Sequence, residues 1–258
     1  MSEDYSPGDP IRAAQKNMRP NVVGRFYKTA DVAAVAGGFA LQLDGRGAHT
    51  PAKKALVLPT RAMAELVARE WAGQGATIDP STMPATRIAN SAIDGVAAAM
   101  AETRAELAAY AETDLLYYRA GEPEKLVAAQ AEAYDPALDW AHAAFGVRFI
   151  LAEGIIHVRQ PEPSLAAVRA ALAAVDEPLS LAALHVMTTL TGSVLLALGV
   201  SRGAFSAAEA WRIAHVDEDF QISQWGEDDE AMARRAGRWR DMEAAAAMAA
   251  AASSLPSF

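Results

Sequence analysis

The stretch Phe39-Ala40-Leu41-Gln42-Leu43-Asp44-Gly45 decides how the chain begins to fold. A run of strand-forming residues ends in Asp-Gly, a pair that tolerates the positive φ angles of a tight hairpin. Further strand-like runs surround it: Arg25 to Thr29, Ala48 to Thr50 and Leu56 to Leu58, with Gly37-Gly38 as a second turn. Thr60 then provides a helix cap. Leu66, Val67, Glu70 and Trp71 follow helical spacing to about Gln74, where Gly73 and Gly75 end the pattern.

Beyond a loop bracketed by Pro80 and Pro84, helices dominate. The spacing predicts them over Thr86 to Ile93, Val96 to Ala111, Pro123 to Phe145 with an interruption at Pro136, Ser164 to Val175, Leu179 to Leu198, and Ser206 to about Met248 with a break at Trp225-Gly226. Val147 to Val158 reads as a second hairpin or as a buried extended segment. Strands followed by a run of helices, without βαβ alternation, indicate an α+β fold: a small strand-rich N-terminal part, then a larger helical bundle. The expected organisation is a loosely attached arm at 1–21, a small α+β domain at 22–82, a bundle at 83–243, and an alanine-rich tail at 244–258 whose helix frays.

The 258 residues carry a net charge of -9, with 52% hydrophobic residues and no cysteine. That balance fits a soluble globular protein and disfavours nucleic acid as a partner. Lack of cysteine excludes disulfides, zinc–thiolate sites and cysteine nucleophiles. No secretory signal, mitochondrial presequence or bilayer-length apolar run is read, so a bacterial cytoplasmic protein is expected, by default a monomer.

No catalytic constellation stands out. Gly37-Gly38 and Gly45-Arg46-Gly47 match no phosphate-binding pattern. His49, His142, His157, His185 and His215 include no i, i+4 pair. Gly192-Ser193 lacks the second glycine of a nucleophile elbow and reads as close helix packing inside one long helix. An enzyme of unrecognised type would need Asp94, Asp114 and a histidine to converge in a cleft.

The strongest functional signal lies between Asp217 and Glu230. Seven acids (Asp217, Glu218, Asp219, Glu227, Asp228, Asp229, Glu230) surround Phe220, Ile222 and Trp225-Gly226, and Arg234, Arg235, Arg238 and Arg240 follow. Most acidic runs only solvate a helix face. Aromatic anchors inside this one favour a binding surface, even with part of the charge paired to the arginines. The segment Tyr110 to Arg119, with Asp114 and Tyr117, reads mainly as a helix end with a cap, and alternatively as a groove wall.

Several strings together resemble one family: Arg25-Phe26-Tyr27-Lys28, Leu43-Asp44-Gly45-Arg46 with Thr50-Pro51, Leu58-Pro59-Thr60, Glu70-Trp71 with Gln74, Met83-Pro84, Ala92-Ile93-Asp94, Asp114-Leu115-Leu116-Tyr117-Tyr118-Arg119, Gly192-Ser193, and Gln221 with Trp225-Gly226. The family is the assembly chaperones of mitochondria and alphaproteobacteria that bind the alpha subunit of the F-type ATP synthase catalytic head. The resemblance spans about residues 22–243. It implies an orthogonal helical bundle behind a small α+β domain, no catalysis, no cofactor, and a chaperone that holds the alpha subunit until the beta subunit replaces it. It also implies that acids of the C-terminal part matter, best matched here by Glu218 and Glu230. Asp217, Phe220, Gln221, Trp225, Asp114 and Tyr117 complete the expected partner-binding set. A generic helical scaffold protein is the remaining alternative.

Overall fold

The Asp44-Gly45 turn forms as expected in the computed structural model, which describes residues 23–154 and 156–252. Asp44 and Gly45 adopt φ angles of 49° and 76°, the left-handed pair that lets two twisted strands reverse in two residues. The Asp44 carboxylate accepts from the N–H groups of Lys28 and Thr29, both at 2.8 Å. The turn is thereby fixed to the segment before the first long strand.

That segment differs from the expected Arg25–Thr29 strand. Strand β1 is only Val23–Gly24, and β2 is Ala30–Val35. Between them the Arg25 guanidinium donates to the carbonyls of Gln74 at 2.6 Å and Lys28 at 3.1 Å, bending the chain instead of extending it. Strand β2 pairs antiparallel with β3 (Gly38–Leu43), which pairs with β4 (Arg46–Gly47) and β5 (Val57–Leu58). His49 and Ala55 form an isolated bridge where the third strand was expected. Strand β6 (Thr77–Ile78) pairs with β1.

Helix α1 (Arg61–Ala72) packs its Met63, Ala64, Val67 and Ala68 against the buried Leu41 and Leu58 of this sheet. Thr60 caps it, its side chain accepting from Met63 N–H at 3.1 Å. The Glu70 carboxylate then reaches the start of α2 (Pro84–Asp94), where Ala85 N–H, Thr86 N–H and the Thr86 hydroxyl donate to it. An anion there satisfies amides that the helix leaves unpaired. Burial nonetheless raises the Glu70 pKa.

The helical part continues with α3 (Met100–Tyr110), α4 (Glu124–Phe145), α5 (Glu162–Ala173), α6 (Pro178–Thr191), α7 (Val194–Ser201), α8 (Ala207–Ala214), α9 (Val216–Trp225) and α10 (Asp229–Ala252). Helix α7 is buried all round from Val194 to Gly199, as a central helix must be when it is apolar on every face. Helix α6 packs against α2, α3, α7 and α10. With the N-terminal sheet, this is the expected α+β architecture.

Four local expectations are corrected. Helix α4 runs through Pro136 without interruption. The long helix expected over Leu179–Leu198 is broken at Gly192, whose φ of 67° ends α6, while the Ser193 hydroxyl accepts from Leu196 N–H to start α7. Among the described residues of 147–158 no hairpin forms: strand β8 (Ala152–Glu153) pairs in parallel with β7 (Tyr118–Arg119). The alanine-rich tail does not fray within the described residues. Helix α10 continues to Ala252 with Ala245, Met248 and Ala249 buried, and the Thr60 hydroxyl donates to Ala251 carbonyl. The arm expected at 1–21 lies outside the described residues.

Candidate partner-binding surface

The acidic block occupies two helices and their junction. Helices α8 and α9 bend apart at His215, whose Nδ1 lies 2.7 Å from Trp211 carbonyl. The His215 ring is buried against Trp211, and Trp211 meets Trp239 of α10 edge to face. This aromatic cluster anchors the root of α9. Burial lowers the His215 pKa, so at neutral pH the ring is uncharged. Its 3.9 Å approach to Glu218 therefore leaves that carboxylate unneutralised.

Asp217, Glu218 and Asp219 form the first turn of α9, where carboxylates favour the positive end of the helix dipole. Asp217 accepts from the Gln130 amide at 2.6 Å, fixing α9 to α4. Asp219 pairs with Arg235. The helix ends at Trp225, and Gly226 turns the chain with φ 85° and ψ 178°, a backbone conformation open essentially to glycine. Asp228 then caps α10 by accepting from Ala231 N–H at 2.7 Å.

The junction presents Trp225 to solvent. Its exposure is 80%, the highest of the exposed large hydrophobic side chains among the described residues. Around it, Gln221, Glu227, Asp228, Asp229 and Glu230 are exposed, and Phe220 is half-buried. Part of the charge is spent within the chain: Glu230 pairs with Arg234 on the surface, and Asp219 with Arg235. Arg238 instead donates to Leu190 carbonyl at 3.0 Å and lies over the Trp211 ring. Among the described residues Glu227, Asp228 and Asp229 enter no ion pair. The result is a tryptophan in an acidic rim, a geometry suited to a contact surface.

Two residues expected on that surface are elsewhere. Asp114 is fully buried, and Tyr117 is 1% exposed and stacked on Phe149. The Asp114 carboxylate accepts from Leu116 N–H and Leu195 N–H, both at 3.1 Å, so it caps the turn Leu115–Tyr117 and the start of α7 together. Both residues are buried within the fold and form no part of the exposed surface around Trp225. Burial pushes the Asp114 pKa up to about 6 and raises that of the Tyr117 hydroxyl, which lacks a hydrogen-bond partner.

Asp94 and Asp114, the acids of the enzyme alternative, do not meet in one cleft. Asp94 accepts from the Thr50 hydroxyl at 2.6 Å and Ala52 N–H at 3.1 Å, holding a loop. A cleft of about 630 Å³ between α2, α3, α6 and α10 is lined by Ser91, Glu106 and His185, and neither Asp94 nor Asp114 is among its lining residues. No group of three or more metal-ligating side chains occurs among the described residues, and no helix there is long and apolar enough to cross a membrane.

Comparison with known proteins places this geometry. The model of the ATP12 chaperone protein family matches residues 24–142. The crystal structure of Atp12 from Paracoccus denitrificans superposes with a TM-score of 0.82 at 41% identity, over 89% of this chain and 98% of that one. The chain belongs to the ATP12 chaperone family. Another solved structure, of the Atu1473 protein from Agrobacterium tumefaciens, aligns with a TM-score of 0.86 and 47% identity over 96% of this chain and 92% of that one. The mitochondrial protein atp12 of Schizosaccharomyces pombe is 24% identical over 219 residues, 80% of this chain and 75% of the relative. In this ATP12 family member, several strings that carry the sequence resemblance do structural work: Glu70 caps α2, Gln74 bonds Thr82 and Asp79, and Arg119 pairs with Asp135. The segment with exposed Ile150 and Ile156 was read from sequence as a hairpin or a buried extended segment, not as an exposed apolar surface.

Proposed function

We propose that the protein is an assembly chaperone that binds the unassembled alpha subunit of the F-type ATP synthase catalytic head, shields its exposed interface and hands it to the beta subunit. It does so as a monomer, without catalysis or cofactor, in a bacterial cytoplasm. The observation that carries this reading is Trp225, 80% exposed at a glycine-broken helix junction within a rim of carboxylates. An unassembled subunit exposes apolar surface that aggregates if left open. An aromatic anchor holds such a surface, and an acidic rim steers it and keeps the complex exchangeable. Glu218, Glu230, Asp217, Phe220 and Gln221 form the remainder of the contact. Release needs no nucleotide hydrolysis when the beta subunit offers the larger and more favourable interface.

The test is capture. Alpha subunit diluted from denaturant should stay soluble in the presence of this protein and co-elute with it, and added beta subunit should disperse the complex. Aggregation at the same rate with and without this protein would remove the reading.

A further inference from the structure

Helix α9 carries an acidic first turn at one end and Trp225 at the other, yet little of it is buried. Val216 is its one buried residue, and Phe220 and Ile222 are half-buried. Among the elements around it, α9 packs chiefly against α4. A ten-residue helix with so narrow an apolar face takes its position from tertiary contacts rather than from its own propensity. Among the described residues, the polar and aromatic contacts that tie α9 to other elements lie at its root. His215 lies against Trp211, Asp219 pairs with Arg235, and Asp217 accepts from Gln130. The far end, with Trp225, follows wherever the root points.

Gln130 is the link to α4, and it is buried, with 3% of its surface exposed. Its side-chain oxygen accepts from Ala120 N–H at 2.7 Å, and its amide donates to Asp217 at 2.6 Å across 87 positions of chain. Chemistry dictates that orientation. A backbone N–H only donates and a carboxylate only accepts, so the oxygen must face Ala120 and the nitrogen Asp217. Gln130 is itself held in place: Arg119 donates to its carbonyl at 3.4 Å, pairs with Asp135 further along α4, and lies over the Tyr134 ring. A bond from a buried donor to a carboxylate is stronger than a neutral pair or an exposed ion pair. Trp225 stands eight residues beyond Asp217, about 12 Å along the helix. A tilt of about 10° at the root therefore displaces Trp225 by about 2 Å, enough to spoil a closely packed contact.

We infer that Gln130 is a positioning residue for capture of the alpha subunit: through Asp217 it sets the angle of α9 and so places Trp225 against the captured surface. The inference rests on the proposed contact at Trp225 and deepens it with a residue that lies outside that contact. Gln130 is buried, so its effect on capture passes through α9.

Two variants test it. Gln130→Glu keeps the oxygen that Ala120 N–H needs and sets a carboxylate against Asp217, and Gln130→Met removes both bonds at similar volume. In the free protein, Gln130→Glu should speed amide hydrogen exchange across 216–225 while α6 and α7 exchange as in the wild type. Capture of purified alpha subunit should weaken about fivefold or more. The decisive comparison repeats the substitution in the Trp225→Ala protein, at raised protein concentration. There Gln130→Glu should cost no more than about a further twofold, because the side chain it places is gone. A general loss of stability would weaken capture equally in both backgrounds. Exchange across 216–225 unchanged from wild type, or the same fivefold loss in both backgrounds, would overturn this inference and leave the chaperone reading standing. Should Gln130→Glu fail to fold, Gln130→Met carries the same comparisons. Failure of the wild-type protein to capture at all would remove both the inference and the function on which it rests.

Discussion

The Asp114 carboxylate accepts from Leu195 N–H at 3.1 Å across 81 positions of chain, and from Leu116 N–H at the same distance. One buried side chain therefore joins the turn before β7 to the start of α7. Leu115 N–H donates back to Gly192 carbonyl at 3.1 Å, closing the joint from the other side. Replacing Asp114 with Ala leaves buried amides without an acceptor. The expected loss is about 3–5 kcal/mol of stability, read by urea denaturation, with Asp114→Asn losing less because one carbonyl oxygen remains.

The same residue predicts a pH dependence. Burial raises its folded-state pKa to about 6 from 3.8. The folded protein thus holds this proton more tightly than the unfolded chain. The Asp114 contribution to stability therefore grows as pH falls through about 6 towards 3.8, by a total of about 3 kcal/mol. Denaturation of wild type and Asp114→Asn between pH 7 and 4 isolates it: the difference between them should shift in favour of the wild type as pH falls.

His215 acts in the opposite direction. Its folded-state pKa lies below 6.5, chiefly because the ring is buried. The unfolded chain takes up that proton first, so the His215 contribution is fully present above 6.5 and is lost as pH falls through the folded-state value. His215→Gln should remove this acid-side loss, measured by the same denaturation series.

Two further side chains, Glu70 and Met248, carry stability. Glu70→Ala removes the acceptor of two amides and one hydroxyl at the start of α2, with an expected cost of about 2–3 kcal/mol. Met248 is fully buried, so Met248→Ala should cost about 2–5 kcal/mol. Both are read from thermal or denaturant unfolding. A Met248→Ala variant as stable as wild type would return the alanine-rich segment to the status of a loose tail.

These cases show where sequence suffices. The Asp44-Gly45 turn and the Thr60 cap were legible because both are satisfied within a few residues. The Trp225-Gly226 break was legible because glycine alone tolerates that backbone. Asp114 was not: its cap was expected, but its second acceptor role depends on Leu195, which local pattern cannot reach. Tyr117 was counted in the partner-binding set although its segment read mainly as a packed helix end, and here it is stacked in the core. Helix α10 looked frayed because alanine carries little apolar signal, yet small size is what permits close packing. Trp225 could be core or contact by periodicity, and only the fold puts it in solvent. The outward Ile150 and Ile156 were hidden for the same reason, since apolar runs read alike whether buried or displayed.

The contact surface makes a prediction that separates folding from binding. Trp225→Ala, Glu218→Lys and Glu230→Lys alter exposed or partly exposed side chains, so all three should stay folded, with about 0.5 kcal/mol or less lost at Trp225 and about 1 kcal/mol at each reversed helix-end charge. Glu218→Lys and Glu230→Lys should slow association with the alpha subunit, most clearly at low salt.

The most direct measurement is alpha-subunit capture by wild type and Trp225→Ala, followed together by light scattering and size-exclusion chromatography. Wild type should suppress aggregation and form a complex that beta subunit disperses, and the variant should lose at least about tenfold in capture while remaining folded. Equal capture by both would contradict a contact centred on Trp225, and no capture by wild type would contradict the chaperone account as a whole.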